Sequence, residues 1–346
     1  MEKDKRTELG QLGEFGLIEL LKKNVKIQNK STLLGIGDDA AVIETGKLYT
    51  LVTSDMLLEN VHFDLSYVPL VHLGYKAVAV NISDIAAMNG IPKQITVNIA
   101  LSNRFSVEAV EALYEGIRFA CENYGVDLVG GDTSSSVTGL IISITAIGEV
   151  KKGSLSLRSG ARLNDILCVT GDLGGAFMGL QVLEREKQVF KENPEMKPQL
   201  EGYNFIVQRQ LRPEARMDII HELADLNIVP TAMIDISDGL ASEIFHLCKN
   251  SGVGVVIYED KIPIDKMTFD TAVEFNIDPF TSALNGGEDY ELLFTIGQEE
   301  FEKIKNHRDI TAIGYITKKE YEANMITKGG NKIPLKAQGW SHFGIS

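Results

Sequence analysis

The sequence is poor in the residues and motifs that several common functional sites require. It has 3 cysteines among 346 residues, and Cys121, Cys168 and Cys248 lie too far apart to indicate a disulfide framework or a zinc ligand set. We therefore expect buried thiols in a reducing compartment. The chain also lacks the Gly-x-x-x-x-Gly-Lys-Ser/Thr loop of P-loop enzymes. It lacks the paired His-Arg-Asp and Asp-Phe-Gly set of protein kinases too, because no Asp-Phe-Gly accompanies the tripeptide at 307–309, so neither class fits.

Basic residues and long apolar runs are scarce as well. The chain has 34 Lys and Arg against 48 Asp and Glu, a net charge of −14, which argues against nucleic acid or an anionic membrane as the main partner. No stretch approaches the roughly 18 apolar residues of a membrane span. The charged residues 1–6 are followed by no apolar signal core, so we expect a cytoplasmic protein.

The length exceeds one ordinary hydrophobic core and predicts two domains. Strand-like and helix-like segments alternate, which predicts an α/β fold. We place the boundary at Lys151-Lys152-Gly153, which gives an N-terminal domain of residues 1–150 and a C-terminal domain of residues 151–346. We expect helices over 12–23, 107–124 and 213–226, a helix over 73–87 interrupted at 81–84, strands over 48–53, 95–101, 140–150, 165–170 and 232–236, and an exposed loop over 188–199.

Residues 35–42, Gly-Ile-Gly-Asp-Asp-Ala-Ala-Val, loosely fit a dinucleotide-binding loop. Such a loop directs bare backbone N–H groups and a helix N-terminus at a pyrophosphate, whereas here Asp38 and Asp39 occupy the approach. Two carboxylates repel a polyphosphate unless a cation lies between them. The loop is therefore either a plain turn or part of a metal site.

Further aspartates occur in a similar context, at the predicted end of a strand or start of a helix and beside Gly, Ser or Thr. Each could be a helix cap or turn residue, and Ser83-Asp84 and Ser237-Asp238 are good cap candidates. The ends of strands converge at one edge of an α/β sheet, however, so the whole set can meet there. The set comprises Asp38, Asp39, Asp55, Asp84, Asp132, Asp235 and Asp238.

Carboxylates without neighbouring His or Cys favour hard cations, Mg²⁺ first. Four to six of them exceed what one Mg²⁺ takes from protein, because this ion keeps water and phosphate ligands. The set therefore predicts several ions with a polyphosphate among them, and metal-dependent phosphoryl transfer as the chemistry.

Eight motifs in order give the chain a close resemblance to the thiamine-monophosphate kinase family, within the superfamily of aminoimidazole ribonucleotide synthetase. The resemblance extends from about Gly13 to Phe343. Each motif alone is weak, whereas the ordered set is specific. The motifs are Leu-Gly-Ile-Gly-Asp-Asp-Ala-Ala (34–41), Ser-Asp (54–55), Asn-Val-His-Phe (60–63), Ala-Val-Asn-Ile-Ser-Asp-Ile-Ala-Ala-Met (79–88), Gly-Gly-Asp-Thr (130–133), Arg-Ser-Gly (158–160), Ile-Asp-Ile-Ser-Asp-Gly-Leu (234–240) and Gly-Gly-Glu-Asp-Tyr-Glu-Leu (286–292).

The resemblance implies transfer of the γ-phosphoryl group of ATP to thiamine monophosphate, giving thiamine diphosphate. It implies a two-domain α/β fold whose N-terminal domain dimerises through its sheet. The implied magnesium ligands are Asp39, Asp55, Asp84, Asp132, Asp235 and Asp238, assisted by Thr53 or Ser54. The implied ATP contacts are Tyr114, Gly131, Asp132, Arg158 and Ser237, and the implied acceptor contacts are His62, Glu288 and Trp340.

The mechanism implied needs no general base, because a phosphate oxygen of the acceptor attacks and is already ionised at neutral pH. Arg158 and the metals would relieve the repulsion between the two anions. Glu288 would suit a cationic thiazolium, and Trp340 is either a stacking residue or a core residue of the tail.

Several assignments stay open at this point. The roles of Asp38 and Asp289 are not assigned, and Arg209, Arg212 and Arg216 form either a phosphate site or, as we expect, a solvated or salt-bridged face. A synthetase or another small-molecule phosphotransferase of the same superfamily is the alternative function, and a non-catalytic metal-binding scaffold is the alternative from another class.

Overall fold

The computed structural model describes residues 9–338, so Trp340 lies outside the described residues. The strands are β1 (Thr32–Leu34), β2 (Ala41–Thr45), β3 (Leu48–Leu58), β4 (Ile91–Leu101), β5 (Asp127–Ser135), β6 (Ile141–Lys151), β7 (Ile166–Thr170), β8 (Ala232–Asp235), β9 (Val253–Tyr258), β10 (Leu292–Ile296), β11 (Ile310–Lys318), β12 (Ala323–Ile326) and β13 (Lys332–Pro334). The helices are α1 (Gly13–Lys22), α2 (Leu70–Ala87), α3 (Val107–Tyr124), α4 (Gly175–Glu192), α5 (Asn204–Leu211), α6 (Met217–Asp225), α7 (Leu240–Ser251), α8 (Lys266–Glu274), α9 (Pro279–Asn285) and α10 (Gln298–Ile304).

The strands form two mixed sheets, one on each side of the predicted boundary. The first has the order β1-β2-β3-β6-β4-β5, with β4 and β5 parallel and the other neighbours antiparallel. The second has the order β13-β12-β9-β11-β7-β10-β8, with only β12 and β9 parallel among its described pairs. The expected α/β class is confirmed, while the division at residue 150 stays a prediction.

Helix α2 lies between the two halves of the molecule, where it contacts β3 and β6 of the first sheet and β8 of the second. Its residues are mostly buried, and it crosses α3 at Gly74 and Gly116. A Cβ atom on Gly116 would lie 1.8 Å from the carbonyl oxygen of Val71, so only glycine permits this approach. One hydrophobic core includes α2, α3, α6 and a face of the second sheet, which fixes α2 relative to both sheets.

Three expectations about individual elements were wrong. The interruption expected at 81–84 does not occur, because the polar side chains there bond to other elements while the backbone stays helical. Residues 188–192 belong to α4, which ends before Pro194. The helix expected from Pro213 starts at Met217, since Arg216 has a non-helical ψ of 54°.

The three cysteines are buried and free, as expected. Within residues 9–338, no helix is both long and apolar enough to cross a membrane.

Candidate functional site

Three carboxylates from distant parts of the chain converge where α2 meets both sheets. Asp39 lies in the loop before β2, Asp84 in the last turn of α2, and Asp235 at the end of β8. One ligand atom from each lies within 4.8 Å of the others. Asp39 and Asp235 are buried and Asp84 is half-buried. We call these three residues the carboxylate cluster.

Neighbouring hydroxyl groups orient two members of the cluster. Thr53 Oγ1 on β3 donates to Asp84 Oδ2 at 2.5 Å, and Ser83 Oγ donates to Asp235 Oδ2 at 2.6 Å. Asp84 lies in the last turn of α2, so the helix-cap alternative is wrong for Ser83-Asp84. Ser237-Asp238 precedes Gly239, which is the N-cap residue of α7.

Arg158 connects the cluster to the loop of residues 35–42. Its side chain donates from Nε at 3.1 Å and from Nη2 at 2.5 Å to Asp39 Oδ1. Its backbone N–H donates to both oxygens of Asp38, at 3.2 and 3.3 Å. Asp38, whose role the sequence left open, therefore holds Arg158 in place. Burial lowers the pKa of the Arg158 guanidinium, but the negative charges of Asp39 and Asp38 outweigh burial and raise that pKa above its ordinary value.

Burial and neighbouring charges raise the pKa of four carboxyl groups in and around the cluster. The pKa values of Asp38 and Asp235 rise to about 7 and that of Asp55 to about 6, first through burial and then through the charge of Asp39. Burial, followed by the charges of Asp55 and Asp235, raises the pKa of Asp84. The fully ionised group is thus unfavourable until a cation balances it.

One oxygen of the cluster indicates directly that a cation fits. Asp39 Oδ2 is buried and has no hydrogen-bond partner among the described residues. A buried polar atom left unpaired costs about 1–3 kcal/mol, so an ion that coordinates it would remove a penalty already present. The donor set is oxygen alone, which suits Mg²⁺.

The cluster opens into a cavity of about 1210 Å³. Its wall brings together most of the residues predicted for the site. Those at the wall are Asp39, Thr53, Ser54, Asp55, His62, Asp84, Arg158, Asp235, Ser237, Asp238 and Glu288.

Three predicted residues, Tyr114, Gly131 and Asp132, do not line this cavity. Gly131 and Asp132 lie in β5, an edge strand that is exposed along its whole length, and Tyr114 packs partly buried against the first core. The expectation that all the acidic segments meet within one chain is therefore wrong for Asp132. Its role as a ligand stays a prediction.

Lys76 lies about two turns of α2 away from Asp84 and forms a bonded group with Gln210 and Glu288 at the cavity wall, which we call the far end of the cavity. Lys76 Nζ lies 2.8 Å from Glu288 Oε1, and Gln210 Nε2 donates to Glu288 Oε2 at 2.7 Å. Glu288 has a left-handed φ of 58°, and its N–H donates to the carbonyl of Ser237. The Lys76 ammonium already balances the Glu288 carboxylate, so Glu288 does not offer the isolated negative charge that was expected to attract a cationic thiazolium.

His62 closes the turn after β3. Its Nδ1 accepts the N–H of Leu58 at 3.0 Å, which places any proton of the neutral ring on Nε2. The residue thus has a structural contact in addition to its position at the cavity wall.

The arginine trio forms a salt-bridged group, as expected. Arg209 and Arg216 both pair with the buried Glu291, at 2.9 and 2.6 Å. Arg212 lies 4.4 Å above the ring of Tyr75. Asp289 accepts the N–H groups of residues 174 and 176 at the start of α4, so it does not join the carboxylate cluster.

The sequence reading missed four residues that shape the site. Asn81 accepts the N–H of Asp55, and Ser83, Lys76 and Gln210 make the bonds given above. A signal for Lys76 was present, because it lies eight residues before Asp84 and therefore on the same helical face. The interruption expected at 81–84 hides this relation, because it assigns Lys76 and Asp84 to different elements.

Comparison with known proteins agrees with the fold and identifies the family. Residues 37–150 match the family model of AIR synthase related protein, N-terminal domain, and residues 164–324 match that of its C-terminal domain. The thiamine-monophosphate kinase of Bacillus subtilis is 36% identical over 344 residues, covering 96% of this chain and 100% of the relative. That of Aquifex aeolicus is 37% identical over 336 residues, covering 97% and 99%.

A solved structure, AaThiL complexed with AMPPCP and TMP, superposes with a TM-score of 0.82 at 34% identity and covers 98% of this chain and all of the other. On this full-length similarity, the chain belongs to the thiamine-monophosphate kinase family.

Proposed function

We propose that this protein transfers the γ-phosphoryl group of ATP to thiamine monophosphate and forms thiamine diphosphate, with Mg²⁺ required. The observation that carries the proposal is the carboxylate cluster, with its unpaired oxygen on Asp39, at the wall of a large cavity. The family relation supports it, as does the similar AaThiL, whose structure is a complex with AMPPCP and TMP.

Asp39, Asp84 and Asp235 would hold magnesium, with Asp55 and Asp238 at the same wall. When bound, the ions supply positive charge that offsets the charge of the phosphates. Arg158 uses Nε and Nη2 on Asp39, and its remaining N–H groups are left to donate to a phosphate. Ser237 lines the cavity from the loop after β8.

The chain's own residues would act by positioning and charge. The attacking phosphate oxygen is ionised at neutral pH, so no side chain has to remove a proton from it. The loop of residues 35–42 and Arg158 would hold the nucleotide side, while the far end of the cavity would hold the acceptor, which fixes the two phosphates in line. We infer direct transfer, and a phosphohistidine or phosphoaspartate trapped during turnover would contradict it.

The test is a product assay. The purified chain receives ATP, Mg²⁺ and thiamine monophosphate, and thiamine diphosphate is followed by chromatography. Product in proportion to ADP supports the proposal. ADP formed only with a purine-pathway amidine acceptor would indicate a synthetase, and no nucleotide binding would indicate a scaffold.

We further propose a homodimer formed through the first sheet, with β5 in the interface. All nine residues of this edge strand are exposed, and a second copy against it would move Gly131 and Asp132 next to the partner. If Asp132 serves the partner's site, mixing the inactive variants Asp84→Asn and Asp132→Asn after dissociation restores about a quarter of full activity, because half of the dimers contain one intact site. No recovery would place Asp132 in its own chain's site.

Two broader assignments belong with this function. We propose that residues 1–150 and 151–346 are separate domains that share the site, and that the protein works in the cytoplasm, where ATP and Mg²⁺ are supplied.

A further inference from the structure

The group formed by Lys76, Gln210 and Glu288 offers a donor and an acceptor side by side at the cavity wall. The Lys76 ammonium bonds to Glu288 Oε1 at 2.8 Å and to the carbonyl of Gln210 at 3.3 Å. An ammonium has three N–H donors, so one is left after these two acceptors among residues 9–338. Each oxygen of Glu288 takes one donor, and a carboxylate oxygen can accept a second.

The group is electrically balanced and held rigidly. The Lys76 side chain is 4% exposed and that of Glu288 29%, and both residues line the cavity. A balanced pair attracts a cationic ring weakly but still recognises hydrogen-bond direction. Its chemistry suits an uncharged edge that has one donor and one acceptor.

One face of α2 determines which part of the acceptor lies against this group. Lys76, Val80 and Asp84 are spaced four residues apart, and all three line the cavity. The rise of a helix places Lys76 about 12 Å along the axis from Asp84. The face is thus acidic at the reacting end, apolar in the middle and hydrogen-bonding at the far end.

This order matches the order of groups in thiamine monophosphate, which has its phosphate at one end, the thiazolium in the middle and a 4-aminopyrimidine at the other end. We propose that Glu288 and Lys76 bind the amidine edge of that pyrimidine. Glu288 accepts an N–H of the 4-amino group, Lys76 donates to the adjacent ring nitrogen, and Gln210 is a positioning residue for Glu288. The inference rests on the function proposed above and specifies which end of the acceptor is recognised, and by which atoms.

The 4-oxo analogue of thiamine monophosphate tests this directly. It keeps the phosphate and the thiazolium but replaces the amino group by a carbonyl and places a hydrogen on the adjacent nitrogen, which reverses donor and acceptor along the edge. We expect the wild-type protein to prefer thiamine monophosphate over the analogue by about 100-fold in kcat/KM, because mismatched polar groups would be left unpaired.

Two variants should remove this preference. In Glu288→Gln the amide can present either a donor or an acceptor, so we expect the ratio of the two kcat/KM values to fall at least about tenfold. Lys76→Met keeps the length of the side chain but removes the donor, and we expect a similar fall. In both, KM for thiamine monophosphate should rise while kcat changes less than about threefold, because the reacting end is untouched.

The double variant Lys76→Met/Glu288→Gln leaves no unpaired charge, so it can replace a single variant that does not fold stably. Its ratio of kcat/KM for thiamine monophosphate to kcat/KM for the analogue should also be low. Lys152→Met is the matched control, because Lys152 is an exposed lysine paired with Glu44 outside the cavity. An unchanged ratio in the folded variants, or equal loss of kcat with both acceptors, would overturn the inference. If the wild-type protein forms no thiamine diphosphate, the proposed function itself fails. If it forms the product without discriminating between the acceptors, only the inference fails.

Discussion

The two ends of the cavity use charge in opposite ways. At one end Asp38, Asp39, Asp55, Asp84 and Asp235 lie close together. Burial, followed by neighbouring carboxylate charges, raises the pKa values of Asp38, Asp55, Asp84 and Asp235, and one oxygen of Asp39 has no hydrogen-bond partner among the described residues. At the other end a single carboxylate, Glu288, is balanced by a lysine and bonded by a glutamine. The carboxylate end can bind cations from solution, whereas at the other end Lys76 supplies the counter-charge of Glu288. Charge can therefore act on the transferring group at one end while hydrogen bonding selects the acceptor at the other.

The strongest test of this contrast removes one charge from the acidic end. We expect Asp84→Asn to lower kcat by about a thousandfold, equivalent to about 4 kcal/mol, because a magnesium ligand is lost. In metal-free buffer the same variant should melt at a higher temperature than the wild type, since the neutral amide relieves repulsion among buried carboxylates. Steady-state kinetics and calorimetry measure the two effects.

The matched control is Asp260→Asn, an exposed aspartate outside the cavity, which should change neither quantity. Near-normal turnover in Asp84→Asn, or a lower melting temperature without metal, would show that this carboxylate is structural.

The second test varies pH and metal together. The pKa values of Asp38 and Asp235 rise from their ordinary value to about 7, so the metal-free folded state binds more protons than the unfolded state. Its free energy of unfolding should therefore fall as pH rises from about 4 to about 7 and then level off. Mg²⁺ competes with those protons, so the stabilisation by saturating Mg²⁺ should be greater at pH 8 than at pH 5.5 by about 2 kcal/mol.

Calorimetry with Mg²⁺ and with a chelator measures this difference. Equal stabilisation at both pH values would mean that the clustered carboxylates do not bind the ion. The Lys76–Glu288 end is already balanced and supplies the internal contrast, because Glu288→Gln should leave the pH dependence of the Mg²⁺ effect unchanged.

The third test concerns the cation that the chain itself provides at the acidic end. Arg158→Lys should lower kcat/KM for ATP by about 10-fold to 100-fold, because a lysine cannot bond to Asp39 through two nitrogens and also reach a phosphate. Arg162→Lys is a suitable control, since Arg162 lies outside the cavity wall. An unchanged kcat/KM for ATP would leave Arg158 with a structural role alone.

How far the sequence predicts this site depends on whether each contact is local. The strand ends and the acidic motifs carry local signals, so Asp39 and Asp235 could be placed near one another from sequence, whereas Arg158 was expected at the site only through the family resemblance. The helical conformation of residues 81–84 could not be predicted, because Asn, Ser and Asp favour loops in isolation. Here their side chains bond to Asp55 and Asp235 on the two sheets, and that tertiary pairing lets the helix continue.

The contact of Gln210 with Glu288 and the position of Asp132 could not be predicted from neighbouring residues in the sequence. Gln210 contacts Glu288 across 78 residues of sequence, and nothing near Gln210 distinguishes it from an ordinary helical glutamine. Asp132 belongs to a recognisable motif, yet it lies on an exposed edge strand. A motif identifies a residue type and its neighbours, but it does not say which chain's site the residue completes.

The mildest test asks whether His62 acts on the acceptor or only on the fold. Its Nδ1 accepts the N–H of Leu58, and in His62→Asn the side-chain oxygen can take over that bond while the rest of the ring is lost. We expect KM for thiamine monophosphate to rise about fivefold, close to 1 kcal/mol, with KM for ATP and the melting temperature unchanged. His62→Leu loses the bond too and should in addition destabilise the fold by about 1 kcal/mol. If both variants lower stability and neither alters KM for thiamine monophosphate, His62 only stabilises the turn after β3. Recognition of the acceptor would then depend on Lys76 and Glu288.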